Sequence, residues 1–123
     1  VEIDRISKVY QKFGFNFLVK VLSKHELKII PIEKKKRINF ITGRFATKEA
    51  LVKALGTGFR KGLSFKDISV INDKNGKPEI FFDQNLNDFF KTIIKNFNIS
   101  ASISHEKKYC VASVTIMGEK VET

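Results

Sequence analysis

The stretch "GRFATKEALVKALGTG", residues 43–58, predicts a helix that runs into a Gly-Thr-Gly turn. At ~100° per residue, its apolar side chains cover most of the helix circumference: Phe45, Ala46, Ala50, Leu51, Val52, Ala54 and Leu55. A helix that is apolar on nearly all sides is usually buried. Glu49 falls between Phe45 and Ala46 on this wheel, and Lys53 follows one turn later. A charge in such a place must be paired, bound to a metal or part of the chemistry.

Two interpretations of Glu49 remain open from this stretch alone. In the first, Glu49 and Lys53 form an ordinary i,i+4 ion pair worth ~0.3–0.5 kcal/mol, and the glycines only end the helix. In the second, the carboxylate is a ligand of Mg²⁺, which prefers oxygen donors. Lys48 and Lys53 then hold phosphate oxygens, and Gly56 and Gly58 let backbone amides approach a ligand.

The composition is strongly basic. The 123 residues carry 23 Lys and Arg against 13 Asp and Glu, a net charge of +10. Such a surface attracts polyanions, which include nucleic acid, acidic lipid headgroups, a phosphorylated cofactor or an acidic protein. The densest run, "EKKKR" at 33–37, is interpreted as the solvated start of a helix rather than a binding patch. A membrane span is not expected, because no run of about 18 apolar residues occurs.

Cys110 is the single cysteine, so no internal disulfide is possible. Because it lies in an apolar run, it is predicted to be a small core residue rather than a nucleophile. No histidine or cysteine spacing fits a zinc site, and no G-x-S-x-G or Cys-His pattern suggests acyl hydrolysis.

The first half of the chain is predicted to be helical. The spacing over 3–12 fits a first helix. Ser23 and Glu26 form a capping-box signature, which opens a short helix that Pro31 ends. A long helix is predicted over roughly 34–55.

The second half predicts two hairpins with a helix between them. Residues 63–73 alternate as a strand, Asn75-Gly76 is a strong hairpin signal, and Pro78 opens the returning strand. Helical spacing covers 85–97. The strands "ISASIS" and "YCVASVTIM" then flank the polar break "HEKK", and the polar tail 118–123 is expected to fray. The order of elements predicts one α+β domain, with antiparallel hairpins packed on a long central helix.

A second candidate site lies in "SISHEKKY". Ser104 and His105 end a predicted strand, where side chains of a sheet edge converge. Histidine can donate to a phosphate or shuttle a proton. The alternative, a turn histidine exposed to solvent, has equal support from the residues.

Four stretches, taken together, resemble the holo-[acyl-carrier-protein] synthases, the small trimeric class of 4′-phosphopantetheinyl transferases. They are "VEIDRI" (1–6), "GRFATKEALVKALGTG" (43–58), "LSFKDISVINDKNGKP" (63–78) and "SISHEKKYCVASV" (102–114). The central family motif, F-x-x-K-E-A, is Phe45 to Ala50 here. The resemblance runs almost from end to end and favours a functional role for Glu49.

The resemblance implies transfer of the phosphopantetheine arm of coenzyme A to a serine hydroxyl of apo acyl carrier protein, in fatty acid biosynthesis. The reaction would depend on Mg²⁺ and release adenosine 3′,5′-bisphosphate. Glu49 matches the metal ligand, and Lys48 and Lys53 match lysines expected to hold phosphates or support the leaving group. Arg5 matches the arginine that receives the carrier protein. The residues that match the coenzyme A site are Lys53, Gly56, Thr57, Gly58, Asn75, Gly76, Lys77, Pro78, Ser104 and His105.

The resemblance also implies a homotrimer with active sites at subunit interfaces, and we expect a cytoplasmic enzyme with neither a membrane nor a nucleic acid as partner. The family's other metal ligand is an aspartate two residues before the valine that matches Val1, so we expect it upstream of this chain. The rival hypotheses are a basic nucleic-acid-binding module and a catalytically inactive relative.

Overall fold

The computed structural model describes residues 1–56 and 64–121. The elements are α1 (Ile3–Phe13), α2 (Phe15–Val21), α3 (Lys24–Ile29), α4 (Lys34–Leu55), β1 (Ile68–Asn72), β2 (Pro78–Phe82), α5 (Gln84–Ile93), β3 (Ile94–His105) and β4 (Cys110–Lys120). Strands β1 and β2 form one antiparallel pair, and β3 and β4 form another. The predicted α+β fold, with antiparallel hairpins and a long helix, is confirmed.

The first three helices follow from local signals. Gly14 separates α1 from α2 with a φ of +56°, a backbone conformation that glycine adopts without strain. The predicted capping box opens α3: the Ser23 side chain accepts from the Glu26 N–H, and the Glu26 side chain accepts from the Ser23 N–H. The apolar pattern of residues 16–22 does not distinguish a helix from a strand; in the structure, residues 16–21 belong to α2.

The long helix α4 has the predicted bounds and links two hydrophobic clusters. Its Ile41 belongs to a cluster formed with the first helices, and its Leu51 to a cluster formed with β1 and α5. The members of the first are Ile6, Leu18, Val21, Leu22 and Ile41; those of the second are Leu51, Ile68, Leu86 and Phe90. Of the run 33–37 predicted to be solvated, residues 33–36 are exposed. Arg37 is half-buried instead, because it donates to the Tyr10 hydroxyl and to the Pro31 carbonyl oxygen, both at 2.8 Å.

The first hairpin turns where predicted, but its first strand is shorter. Phe65–Asp67 form a 3₁₀ turn, so β1 begins only at Ile68, and Leu63 lies outside the described residues. In the turn, Asp73 Oδ1 accepts from the N–H groups of Asn75 (2.8 Å) and Lys77 (2.9 Å). Pro78 opens β2, as expected.

The helix predicted over 85–97 ends earlier, at Ile93, and residues 94–97 begin β3 instead. Phe97 is half-buried in the strand, with its ring centroid 4.4 Å from that of Phe90. A helix over 94–97 predicts a buried Phe97 as well, so the apolar spacing did not distinguish a helix from a strand here. A bulge lies between Lys95 and Asn98, where Asn96 has a φ of +53°.

The tail predicted to fray is ordered as far as β4 extends. Lys120 pairs with Ile94. Gly118 lies opposite the bulge, where a Cβ atom would stand 2.5 Å from Ile94 Cγ2 and 3.0 Å from Phe97 Cα. The strand therefore needs a glycine here. Residues 122–123 lie outside the described residues.

The first residues of the chain add a short third segment beside β4. Val1 and Cys110 exchange two backbone hydrogen bonds of 2.8 Å, and the Ile3 N–H donates to the Lys108 carbonyl at 2.9 Å. Cys110 is buried, and burial raises the pKa of its thiol, in agreement with its predicted core role. Among the helices of the described residues, none combines the length and apolar character that a membrane crossing requires.

Candidate active site

The two neighbouring charges in the middle of α4 lie in different environments. The helical wheel predicted Glu49 as the buried charge, but the structure buries Lys48 completely and leaves Glu49 half-exposed. Lys48 follows the buried Ala46 and Thr47, whereas Glu49 lies about 100° further round the helix and reaches its half-exposed side. Lys48, and not Glu49, is therefore the charge that needs a partner inside the protein.

Lys48 has a complete set of protein acceptors. Its Nζ lies 2.5 Å from Glu26 Oε1, 2.7 Å from the Val21 carbonyl oxygen and 2.9 Å from the Phe65 carbonyl oxygen. An ammonium group has three protons to donate, and all three are used. The geometry therefore does not support the predicted contact between Lys48 and a phosphate, because no proton of this group is left for it.

Glu26 is the centre of this cluster. Its Oε1 also accepts from the Ser23 N–H, and its Oε2 accepts from the Val70 N–H, both at 2.8 Å. Arg44 Nε lies 3.9 Å from Oε2 and donates to the Val70 carbonyl oxygen. Burial lowers the pKa of Lys48, and the charge and hydrogen bond of Glu26 oppose that shift. Burial likewise lowers the pKa of Arg44 against the attraction of Glu26.

The sequence analysis assigned Glu26 only a capping role and did not single out Arg44. Two signals were present for Glu26: a capping box, and a lysine on an apolar helix in need of an anion. Glu26 and Lys48 lie 22 residues apart in the sequence. Only the packing of α3 against α4 and β1 brings their side chains into contact.

Glu49 and Lys53 form the exposed part of the site. No ion pair between described residues involves either of them, so the i,i+4 pair of the first interpretation is absent. Gly56 ends α4 with a φ of +69°, and its N–H donates to the Val52 carbonyl oxygen. Thr57 and Gly58 lie outside the described residues.

The carboxylate of Glu49 is a candidate metal ligand. The described ranges, 1–56 and 64–121, contain no group of three or more His, Cys, Asp or Glu residues that could hold a metal. Mg²⁺ commonly takes one or two protein carboxylates and fills its other positions with water and substrate phosphate. A single half-exposed carboxylate fits that pattern as one of the ligands.

His105 lies against the amino-terminal half of α4. Its Nε2 is 3.0 Å from the Asn39 carbonyl oxygen, and a Cβ atom on Gly43 would stand 3.3 Å from the imidazole ring. Gly43 therefore permits the close approach of β3 to the helix. Since Asn39 and Gly43 precede Glu49 by ten and six residues, His105 contacts α4 ~9–15 Å before Glu49 along the helix axis, at 1.5 Å per residue. Ser104, beside His105, is exposed.

The tip of the first hairpin points toward the same half of α4. Ile68, at the start of β1, belongs to the cluster of Leu51, whereas the Val70 carbonyl oxygen accepts from Arg44, almost two turns earlier in α4. The strand thus runs toward the amino-terminal end of the helix. Its turn carries three exposed candidate residues and one half-exposed residue: Asn75, Gly76, Lys77 and Pro78.

The predicted coenzyme A residues therefore form two groups. One lies at the carboxyl-terminal end of α4 with Glu49, Lys53 and Gly56. The other, with His105 and the hairpin tip, lies toward the amino-terminal end. Within one chain, the two groups thus lie toward opposite ends of α4.

Arg5 is exposed on α1 and has no hydrogen bond or ion pair with another described residue. On the same helix, Lys8 pairs with Asp4 at 3.1 Å, and the Lys12 ammonium lies 5.3 Å from the centroid of the Phe13 ring. The guanidinium of Arg5 is thus the free cation of this helix face.

Known proteins resemble this chain over most of its length. Residues 1–114 match the sequence model of the 4′-phosphopantetheinyl transferase superfamily. A holo-[acyl-carrier-protein] synthase of Pelagibacter ubique is 46% identical over 118 residues, which cover 94% of this chain and 90% of the relative.

Solved structures of such synthases have the same fold. The enzyme from Neisseria meningitidis has a TM-score of 0.82 and 36% identity, over 98% of this chain and 93% of that one. The Helicobacter pylori enzyme in complex with coenzyme A has a TM-score of 0.78 and 36% identity, over 95% of each chain. The family resemblance is thereby confirmed: the chain belongs to the 4′-phosphopantetheinyl transferase superfamily, and within it to the holo-[acyl-carrier-protein] synthases.

Proposed function

We propose that this chain transfers the 4′-phosphopantetheine moiety of coenzyme A to a serine of apo acyl carrier protein, in the fatty acid biosynthesis of the cytoplasm. The observation that carries the proposal is the state of Glu49 in the K-E-A motif: it is half-exposed and has no ion-pair partner among the described residues. The names of the relatives, and the coenzyme A complex of the Helicobacter pylori enzyme, support the same activity.

The reaction is a phosphoryl transfer. The serine Oγ forms a bond to the β-phosphorus of coenzyme A, and the bond between that phosphorus and the pyrophosphate bridging oxygen breaks. The serine proton goes to a base, and adenosine 3′,5′-bisphosphate leaves with the bridging oxygen. The products are holo carrier protein and the bisphosphate.

Glu49 and Lys53 have complementary roles in this proposal. Glu49 binds Mg²⁺, which when present neutralises negative charge on the pyrophosphate. In this proposal Glu49 also accepts the serine proton, directly or through water. Lys53, exposed one turn later, stabilises the charge on the departing nucleotide phosphate.

The remaining contacts to coenzyme A come from the two groups of residues at the ends of α4. Gly56, Thr57 and Gly58 follow Lys53, and the second group comprises Asn75, Gly76, Lys77, Pro78, Ser104 and His105. Because the two groups lie toward opposite ends of one helix, we propose that each active site combines the first group of one chain with the second group of its neighbour.

A ring of three copies closes such a head-to-tail arrangement, and a homotrimer is the assembly we propose. Light scattering at micromolar concentration is expected to give about three times the mass of 14.1 kDa. A monomer that is fully active would contradict the shared site.

The acyl carrier protein is proposed to dock on α1. Arg5 offers a free guanidinium there, and the net charge of +10 favours the approach of both anionic substrates. Replacement of Arg5 is expected to raise KM for the carrier protein and leave KM for coenzyme A unchanged.

The test of the function is the intact mass of apo acyl carrier protein after incubation with coenzyme A, Mg²⁺ and this protein. We expect a gain of about 340 Da, one phosphopantetheine arm on one hydroxyl. A carrier protein with alanine in place of the acceptor serine, and a reaction with chelator, are the controls and should gain nothing. No gain on any carrier protein, from a folded protein that binds coenzyme A, would identify an inactive relative.

A further inference from the structure

The buried cluster of Glu26, Lys48 and Arg44 fastens the middle of α4 to its neighbours. Glu26 belongs to α3 and accepts from Val70 of β1, while Lys48 of α4 donates to Glu26 and to the last carbonyl of α2. The side chains of Glu26 and Lys48 are both completely inaccessible to solvent. The Glu26 carboxylate therefore connects three elements, α3, α4 and β1.

Alongside the two hydrophobic clusters, this connection restrains the rotation of α4 about its axis. The side chains of Lys48 and Glu49 leave the helix about 100° apart, so a fixed Lys48 also fixes the direction of Glu49. We propose that Glu26 and Lys48 are positioning residues: their buried ion pair sets the rotation of α4 and thereby aims the Glu49 carboxylate. The inference rests on the proposed function, and it assigns Lys48 no contact with phosphate.

Two features of the cluster support a positioning role over a direct one. All three protons of the Lys48 ammonium are donated inside the protein, and no buried polar side-chain atom among the described residues lacks a hydrogen-bond partner. The cluster is thus complete without a ligand. Placement matters to the chemistry, because a shift of about 1 Å in a catalytic group can cost about 100-fold in rate.

The test compares K48M, E26Q and the double variant E26Q/K48M. Each single change leaves one buried charge without its partner, so we expect the melting temperature to fall by about 10–20 °C. For K48M we expect kcat to fall about 100-fold with KM for coenzyme A nearly unchanged. The double variant removes both members of the Glu26–Lys48 pair and leaves Arg44 as the one charge of the cluster, so its kcat should recover about tenfold relative to K48M.

The matched control is K53M, which replaces the exposed lysine of the same helix. E26Q should not rescue K53M, because Lys53 does not contact the cluster. If E26Q/K48M is folded and no faster than K48M, the ion pair does not aim Glu49 and the proposal is wrong.

A second measurement uses the unaltered protein and so does not depend on the variants folding. Reductive methylation of the native protein, read by mass spectrometry, should leave Lys48 unmodified while Lys53 and Lys91 react. Modification of Lys48 at the rate of Lys53 would overturn the proposal. Absence of transferase activity in the wild type would refute the proposed function instead, since the labelling pattern and the non-additive melting temperatures would still report on the ion pair.

Discussion

Lys48 and Lys53 lie five residues apart on one helix and differ in almost every physical respect. Lys48 is inaccessible to solvent and donates to three protein acceptors, whereas Lys53 is exposed and has no ion-pair partner among the described residues. Lys48 is therefore part of the buried structure, whereas Lys53 is available to a ligand. A charged motif on a helix can therefore combine a buried, fully paired lysine with a carboxylate and a lysine that stay accessible, and only the packing distinguishes them.

The largest effect is expected at Glu49. Glu49→Ala should lower kcat by about 1000-fold, because it removes the proposed metal ligand and base. The unfolding midpoint should stay within about 2 °C, since no described partner is lost. Steady-state rates and thermal unfolding on the same samples test this, with Asp88→Ala, an exposed acid of α5, as the control. A parallel loss of stability would place Glu49 with the structural residues.

On the buried side, Glu26→Gln should cost about 3 kcal/mol of unfolding free energy at pH 7. Burial already lowers the pKa of Lys48 below its ordinary 10.5, and the variant removes the carboxylate that opposes this shift, with Arg44 adding repulsion. The unfolded chain then binds more protons than the folded one.

The stability of Glu26→Gln should therefore rise with pH, by up to about 1.4 kcal/mol per unit, until the ordinary pKa of lysine is reached. Urea unfolding between pH 7 and 10 measures it. The variant that also carries Lys48→Met is the control and should lack the slope; equal slopes in the two variants would show that Lys48 is not the titrating group.

On the exposed side, Lys53→Met should lower kcat about 100-fold by removing charge stabilisation of the leaving phosphate. The free energy of unfolding should change little, because the side chain is exposed. Lys91→Met, an exposed lysine of α5, serves as the control. A rate equal to that of the control would exclude Lys53 from the chemistry.

The smallest effect is expected for the surface pair of α1. Lys8 and Asp4 are 3.1 Å apart, but their side chains are 73% and 66% exposed. Lys8→Met should change the unfolding free energy by no more than about 0.5 kcal/mol. Urea unfolding of Lys8→Met and Lys48→Met compares a solvated pair with a buried one. Equal losses of unfolding free energy in the two variants would mean that burial does not determine how much an ion pair contributes.

The sequence predicted those features that depend on neighbouring residues. The capping box of Ser23 and Glu26, the bounds of α4 and the Asn75-Gly76 turn all rest on short-range rules, and the structure has all three. The family motif identified Glu49 as the residue of interest.

The features that the sequence did not reveal depend on distant parts of the chain. The helical pattern over 85–97 is also compatible with a strand after residue 93, and only the pairing of Ile94 with Lys120 decides between them. Likewise, no local rule says which charge of α4 is buried. The answer depends on a carboxylate of α3 that packing places against Lys48.

The most direct test of the central claim is activity from two defective chains combined in one assembly. Glu49→Ala and His105→Ala chains are co-refolded in equal amounts, and transfer to apo acyl carrier protein is measured by intact mass. If each site combines Glu49 of one chain with His105 of its neighbour, random mixing restores both residues at one of the three sites in each mixed trimer, or about a quarter of all sites. The mixture should therefore show about a quarter of wild-type activity. A mixture no more active than its separate components would contradict it.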